Sequence, residues 1–427
     1  MTQAEPARSW DLPLWQSLLP LGRSDTGGYR RFSFTGADSQ CRDWFFTAAA
    51  DRGLRTETDR NGNLWAWWDP PAAGLPAGHR DGPESSPDGT GVVVTGSHLD
   101  SVPDGGAFDG PLGVVSAFAA IDLLREAGVA PVRPVGVVAF AEEEGARFGM
   151  ACLGSRLLTG AVTPDAARAL ADADGVTLAE AMAEAGLDPE AIGPDPGLVS
   201  RIGAFVELHV EQGSALAGMD AAVGVAESIW PHGRWRIDFA GRADHAGTTR
   251  LADRRDPMLP YAATVLAART VATELGSLAT FGRVVAEPGA ANAIGSAVHA
   301  WLDARAPDEE TLKELVSQVT AVAELSGNGH GVTVTSRCES LTPSVDFDLE
   351  LRDRVVAALA GQGTDAPVLP TGAGHDAGVL AAGLPTAMLF VRNRTGVSHS
   401  PAEHADPEDC EAGVVALAAV LEELACR

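Results

Sequence analysis

The sequence predicts an α/β protein: a mostly parallel sheet with helices on both faces, interrupted by an inserted α+β domain of ferredoxin-like order. Three observations carry this reading. A chain of 427 residues exceeds one ordinary core and calls for two domains. Short runs apolar on both faces, such as "GVVVTG" and "PVGVVAFA", alternate with helical stretches, as strands buried in a parallel sheet do. From about residue 222 the strands change to in–out alternation and follow a β-α-β-β-α-β order, which suits an antiparallel sheet with helices on one face.

Taken in order, "NLWAWW" reads as a strand, followed by a long Pro-, Gly- and Ser-rich loop over 69–91. A strand at 91–96, a helix near 112–127 and a strand at 134–141 come next. Residues 161–200 are rich in Ala and Asp with helical spacing, as in "TLAEAMAEAG", and carry little chemistry; "GAFVELHV" at 203–210 is again a strand. In the insertion, "GRWRIDFAG", "FGRVVAEP", "SAVHAWLDARA" and "GVTVTSRCE" are strands, and "DPMLPYAATVLAARTVATEL" and "DEETLKELVSQVTAVAEL" are helices. This divides the chain into 1–221 with 338–427, and an inserted 222–337. The chain returns through "TAMLFV" and ends in a helix at 408–425.

Composition excludes several functions. The net charge is −27 and Lys313 is the only lysine, so nucleic acid and anionic membrane surfaces should be repelled. No run of about 18 apolar residues suggests a membrane span. The start, "MTQAEPARSWDLPLW", lacks a signal-peptide layout, and a cytoplasmic protein is expected. The five cysteines are scattered and never spaced CxxC, which argues against disulfides and a cysteine-based zinc site. Any metal must be held by histidine and carboxylate.

Such residues gather at predicted strand ends, where open parallel sheets place their sites. "GSHLDSVPDGGAFDGPLGV" puts His98, Asp100, Asp104 and Asp109 in a glycine-rich exit. "AFAEEEGARFG" ends a strand with Glu142, Glu143 and Glu144, which repel one another unless a proton or cation lies among them. "VELHVEQG" places Glu207, His209 and Glu211 on one strand face, and "NRTGVSHSPAEH" puts His399 in a polar turn. "GRADHAGTT" offers His245 within the insertion. Each alone also reads as an ordinary solvated loop or core histidine. Together they supply the about five or six N/O ligands, one a bridging carboxylate, that a two-metal site needs. The mixed His/carboxylate set suits zinc or manganese better than calcium or magnesium.

With "GSHLDSVPDGGAFDG", "EEEGARFG", "ELHVEQG", "HAGTT", "GAGHDA" and "GVSHSPAEH" in this order, the chain resembles the carbamoylase and allantoate amidohydrolase branch of the metallopeptidase M20 superfamily. The resemblance implies a catalytic domain interrupted by a lid that also dimerises, and two divalent metal ions per subunit, Zn2+ or Mn2+ with Co2+ as a further option. It implies that His98, Asp109 and His209 bind one metal and that Asp109, Glu144 and His399 bind the other, with Asp109 bridging. Asp100 would orient His98, Glu143 would be the general base, and His245, from the lid of the same or the partner subunit, would stabilise the oxyanion. Gln212, His232, Asn292 and Arg305 match substrate-contacting positions, Arg305 as partner of a substrate carboxylate. Gly374 and His375 would line the same pocket. The resemblance also implies a cis peptide between Asp109 and Gly110. Asp104 is left with no role beyond turn chemistry.

The implied activity is hydrolysis of a ureido or carbamoyl C–N bond in a small anionic acid. Allantoate, giving ureidoglycine, ammonia and carbon dioxide, is the first reading; an N-carbamoyl-L-amino acid or N-formyl- or N-acyl-amino acid is the alternative. A peptidase would carry a carboxylate in place of His209. A non-catalytic, anion-binding dimeric relative would have lost a ligand or the base, and all are present. Arg394 and Gly295 stand where proline is expected, Asp244 replaces an asparagine, and Arg250 replaces a proline. These departures touch the substrate loops and remove no ligand.

Overall fold

The computed structural model describes residues 10–71 and 91–427, so most of the loop predicted over 69–91, and the first nine residues, lie outside it. It divides into two compact units. The first comprises 1–227, 347–369 and 374–427, and the second 228–346 with 370–373.

The chain first supplies six strands: β1 (Arg55–Thr58), β2 (Leu64–Trp68), β3 (Val92–His98), β4 (Val135–Phe140), β5 (Ile202–Val210) and β6 (Val223–Ile229). The next stretch gives β7 (His232–Ala240), β8 (Asp244–His245), β9 (Leu278–Glu287), β10 (Ala293–Ile294), β11 (Ala297–Arg305), β12 (Thr333–Thr342) and β13 (Val345–Asp346). The chain then returns through β14 (Val368–Thr371) and β15 (Thr386–Val391).

The large sheet runs β1-β2-β4-β3-β5-β15-β6-β13, with β14 also paired to β6. Its centre is parallel: β3 pairs β4 and β5, and β5 pairs β15. The pairs β1–β2, β2–β4, β15–β6 and β6–β13 are antiparallel, so the sheet is mixed rather than mostly parallel. The cause at one edge is local. Asp59 accepts the backbone N–H groups of Asn61 and Asn63 at 2.8 and 3.0 Å and closes a turn too short for a crossover between β1 and β2. β2, β3, β4 and β15 are buried along their whole length, as two-sided coverage requires. Helices Pro111–Glu126 and Pro407–Ala425 share the main apolar core with the sheet. Residues 148–192 form a satellite core around Leu157, Leu178 and Met182. Because β3, β4, β5 and β15 run the same way, their carboxyl ends share one edge.

In the second unit β12-β7-β11-β9 form a four-stranded, fully antiparallel sheet. β11 alternates regularly: Val298, Ala300, Leu302 and Ala304 are buried, and their neighbours are half-exposed. The buried face packs with helices Met258–Glu274 and Glu309–Gly329 through Ala268, Leu312, Leu315 and Val319. The limits read from the sequence differ from these units: β6 stays with the first as far as Glu227, and β12 runs past 337 to Thr342. Among the described residues no helix is long and apolar enough to cross a membrane.

Candidate metal centre

The shared strand edge delivers the side chains. His98 is the last residue of β3, and Glu142–Glu144 follow β4 directly. His209 lies near the end of β5, opposite Phe390 of β15, and His399 comes from the loop after β15. Period-two alternation puts Glu207 on the face of His209, where it accepts the Ser97 hydroxyl at 2.7 Å and the Ala377 N–H at 3.0 Å. Glu211 turns instead to the helix that follows and accepts the N–H groups of Ala215 and Leu216.

Asp109 is the hub. Its Oδ1 lies 3.6 Å from Nε2 of His98 and 3.2 Å from Nε2 of His209, and its Oδ2 lies 3.3 Å from Nε2 of His399. Glu144 Oε2 is 3.6 Å from the same His399 nitrogen. Two groups that could each hold a metal ion therefore share one carboxylate: His98–Asp109–His209 and Asp109–Glu144–His399, the atoms of each within 4.8 Å of one another.

The donor chemistry shows what fits there. Nδ1 of His98 donates to the Asp100 carbonyl at 3.1 Å, and Nδ1 of His209 donates to the Val210 carbonyl at 2.8 Å. Each ring then turns its Nε2 inward, and both Nε2 atoms are buried without a hydrogen-bond partner. Two ring nitrogens turned to one carboxylate oxygen form a group that could hold a metal ion. Orientation of the far ring nitrogen by a carbonyl is the usual companion of metal-binding histidine.

The Asp100 carboxylate, 3.5 Å from His98 Nδ1, accepts the N–H groups of Glu143 and Glu144 at 3.2 and 3.0 Å. It fixes the acidic turn as well as the ring. Glu143 places Oε2 3.5 Å from His98 Nε2 and takes the Cys152 thiol on Oε1 at 3.4 Å. Gly110, at φ +83°, makes the reversal after Asp109, and a Cβ there would sit 2.4 Å from the His98 ring. The Asp109–Gly110 peptide is trans, not cis; the cis bond among the described residues is Glu287–Pro288. The glycine conformation alone turns the chain.

Burial pushes Glu143 well above the carboxylate range. Burial, reinforced by Asp109, raises Glu144 to about 7. Burial also opposes ionisation of Asp109, but the imidazoles of His209, His399 and His98 overcome it and hold Asp109 well below its usual value. The hydrogen bond to Asp109 lifts His399 to about 9.

Of the expected substrate residues, Gln212 reaches the centre, donating to Asp109 Oδ2 at 2.8 Å. His375 is buried with its ring 4.5 Å from that of His209, and Gly374 precedes it. A third cluster, Glu207–His209–His375, follows from this contact. In the second unit, β8 pairs with β10, and Ala246 N–H donates to the Asn292 carbonyl at 3.1 Å, so His245 and Asn292 are neighbours. Arg305 and His232 are register partners on β11 and β7, and Arg305 pairs with Asp303 and the Gly372 carbonyl. Asp244, Arg250 and Arg394 pair locally with Arg242, Asp253 and Asp406. At Gly295 a Cβ would crowd the Glu287 carbonyl oxygen at 3.1 Å, so glycine fits there.

Sequence reasoning missed three residues. Asp104 is more than turn chemistry: it accepts the hydroxyls of Ser24 and Thr26 and the Arg30 guanidinium. Ser398 and Glu403 stand beside Asp109, and their only signal was membership of the His399 segment.

Comparison with known proteins agrees with this geometry. The family model described as Peptidase family M20/M25/M40 matches residues 94–423. The chain is 36% identical over 413 residues to an N-carbamoyl-L-amino acid amidohydrolase of Geobacillus stearothermophilus, covering 95% of this chain and 96% of the relative. It is 31% identical over 423 residues to the allantoate amidohydrolase of Escherichia coli K12, covering 96% of each. A crystal structure of a hydantoinase/carbamoylase family amidase from Burkholderia multivorans superposes with a TM-score of 0.82 at 29% identity, covering 97% of both chains. With its paired His/carboxylate groups, the chain belongs to the M20 peptidase superfamily, in the hydantoinase/carbamoylase branch, and is a metal-dependent hydrolase.

Proposed function

We propose that this protein is a dimetal amidohydrolase that cleaves the carbamoyl C–N bond of a small ureido acid. The observation that carries it is the convergence of the buried Nε2 atoms of His98 and His209 on one oxygen of Asp109, with His399 on the other and Glu144 beside His399. His98, Asp109 and His209 would hold one divalent ion, and Asp109, Glu144 and His399 the other. When bound, such ions supply Lewis acidity and a water of lowered pKa.

The chain's own residues do the rest. Glu143, buried and facing the His98 side of the centre, accepts the water proton and returns it to the leaving nitrogen. His245 donates to the developing oxyanion, and Arg305 holds the substrate carboxylate with His232, Asn292, Gln212 and His375 around it; these roles rest on the resemblance. So does a homodimer formed through the second unit. Scattered free cysteines fit a reducing, cytoplasmic setting.

Allantoate is the first substrate reading. N-carbamoyl-L-amino acids are the second, favoured by the 36% identity to the Geobacillus enzyme against 31% to the E. coli one. The test is ammonia release from metal-loaded protein across allantoate, N-carbamoyl-L-amino acids, N-formyl amino acids and dipeptides. Turnover confined to N-carbamoyl amino acids rejects allantoate and leaves the mechanism standing. Turnover confined to dipeptides rejects both.

A further inference from the structure

We propose that Glu403 is a positioning residue for Asp109, clamping the backbone of the shared carboxylate so that both ligand groups stay aligned. The inference rests on Asp109 being the common ligand.

Glu403 is buried, with a relative exposure of 5%. Its Oε1 accepts two backbone N–H groups, from Phe108 at 3.0 Å and from Asp109 itself at 2.9 Å. Its Oε2 accepts the Ser398 hydroxyl at 2.9 Å, and Ser398 Oγ lies 3.3 Å from Asp109 Oδ2. One side chain thus ties the loop that presents Asp109 to the loop that presents His399. With these three donors satisfied, it belongs to none of the ligand clusters among the described residues. The Asp109 loop makes room for it: a Cβ on Gly106 would lie 2.2 Å from Glu403 Oε1 and 2.5 Å from its Cβ and Cδ. Phe108 is fixed from its other side by the His404 ring, perpendicular at 5.6 Å. A carboxylate that must face two cations gains most from having its main chain fixed, since its own oxygens are committed to the metals.

The test is Mn2+ titration of the metal-free protein, read by calorimetry and electron paramagnetic resonance, with the Tm of each metal-free variant. Glu403→Ala and Gly106→Ala should raise the Mn2+ Kd by about 10–100-fold, the range for lost orienting partners. Glu403→Gln keeps Oε1 as acceptor and should stay within a few-fold of wild type. Asp109→Ala should lose tight binding at both positions. Wild-type Mn2+ affinity in Glu403→Ala or Gly106→Ala, with Asp109→Ala defective, overturns the proposal even if Tm falls, because the clamp is then only structural. If Glu403→Ala does not fold, Gly106→Ala and Glu403→Gln decide it. Undiminished binding in Asp109→Ala would reject the shared ligand itself, and the clamp with it.

Discussion

Replacing Glu143 by Gln separates the proposed base from a metal ligand. The change is isosteric, and the groups that hold the position survive it. The backbone N–H still meets Asp100 at 3.2 Å, and the Cys152 thiol can still meet a side-chain oxygen. What disappears is the ability to take a proton. General-base catalysis contributes about 10²–10⁴-fold, so kcat should fall by that factor, about 3–5 kcal/mol of barrier. KM and bound metal should stay near wild type. Ammonia release gives the rates, and elemental analysis of the desalted protein gives the metal. A fall in kcat of less than about tenfold with full metal content would refute the base assignment. Loss of one metal equivalent would refute it differently: Glu143 Oε2, 3.5 Å from His98 Nε2, would then be a ligand.

Three further outcomes follow from the same geometry. His209→Ala should lose about one metal equivalent and Asp109→Ala both, by elemental analysis; equal losses would contradict the sharing. Metal binding should release protons, since Glu144 at about 7 and His399 at about 9 both hold one below pH 7 in the metal-free protein. Release, measured by calorimetry in buffers of different ionisation enthalpy, should be greatest near pH 6 and decline as pH rises through 7 and then 9, while affinity grows. Arg305→Lys should raise KM for a ureido acid more than it lowers kcat, since an ammonium cannot reproduce a bidentate fork; unchanged KM would remove Arg305 from the substrate.

Much of this was legible in residue order. "GAFVELHV" announced a strand whose alternation aligned Glu207 with His209, and the β-α-β-β-α-β order announced the second unit's sheet. Strand direction at the sheet's flanks was not legible, because the pairing partners of β2 and β6 are set by tertiary contacts rather than by their own patterns. The candidate ligand residues stood out by type. The residues that fix them did not, because their work passes through the main chain. Asp100 orients His98 with its carbonyl, an atom every residue owns, and Glu403 acts on two amides contributed from far along the chain.

The Asp104 anchorage ties the loop between His98 and Asp109 to a segment far earlier in the chain. Ser24, Thr26 and Arg30 grip Asp104, the Tyr29 amide donates to the Gly105 carbonyl, and the Arg31 amide donates to Ser101. The segment at 24–31 is thereby sewn along the loop between His98 and Asp109, yet it lies before residue 94, where the family match begins. The loop's shape is thus held in part by side chains that the matched region does not contain.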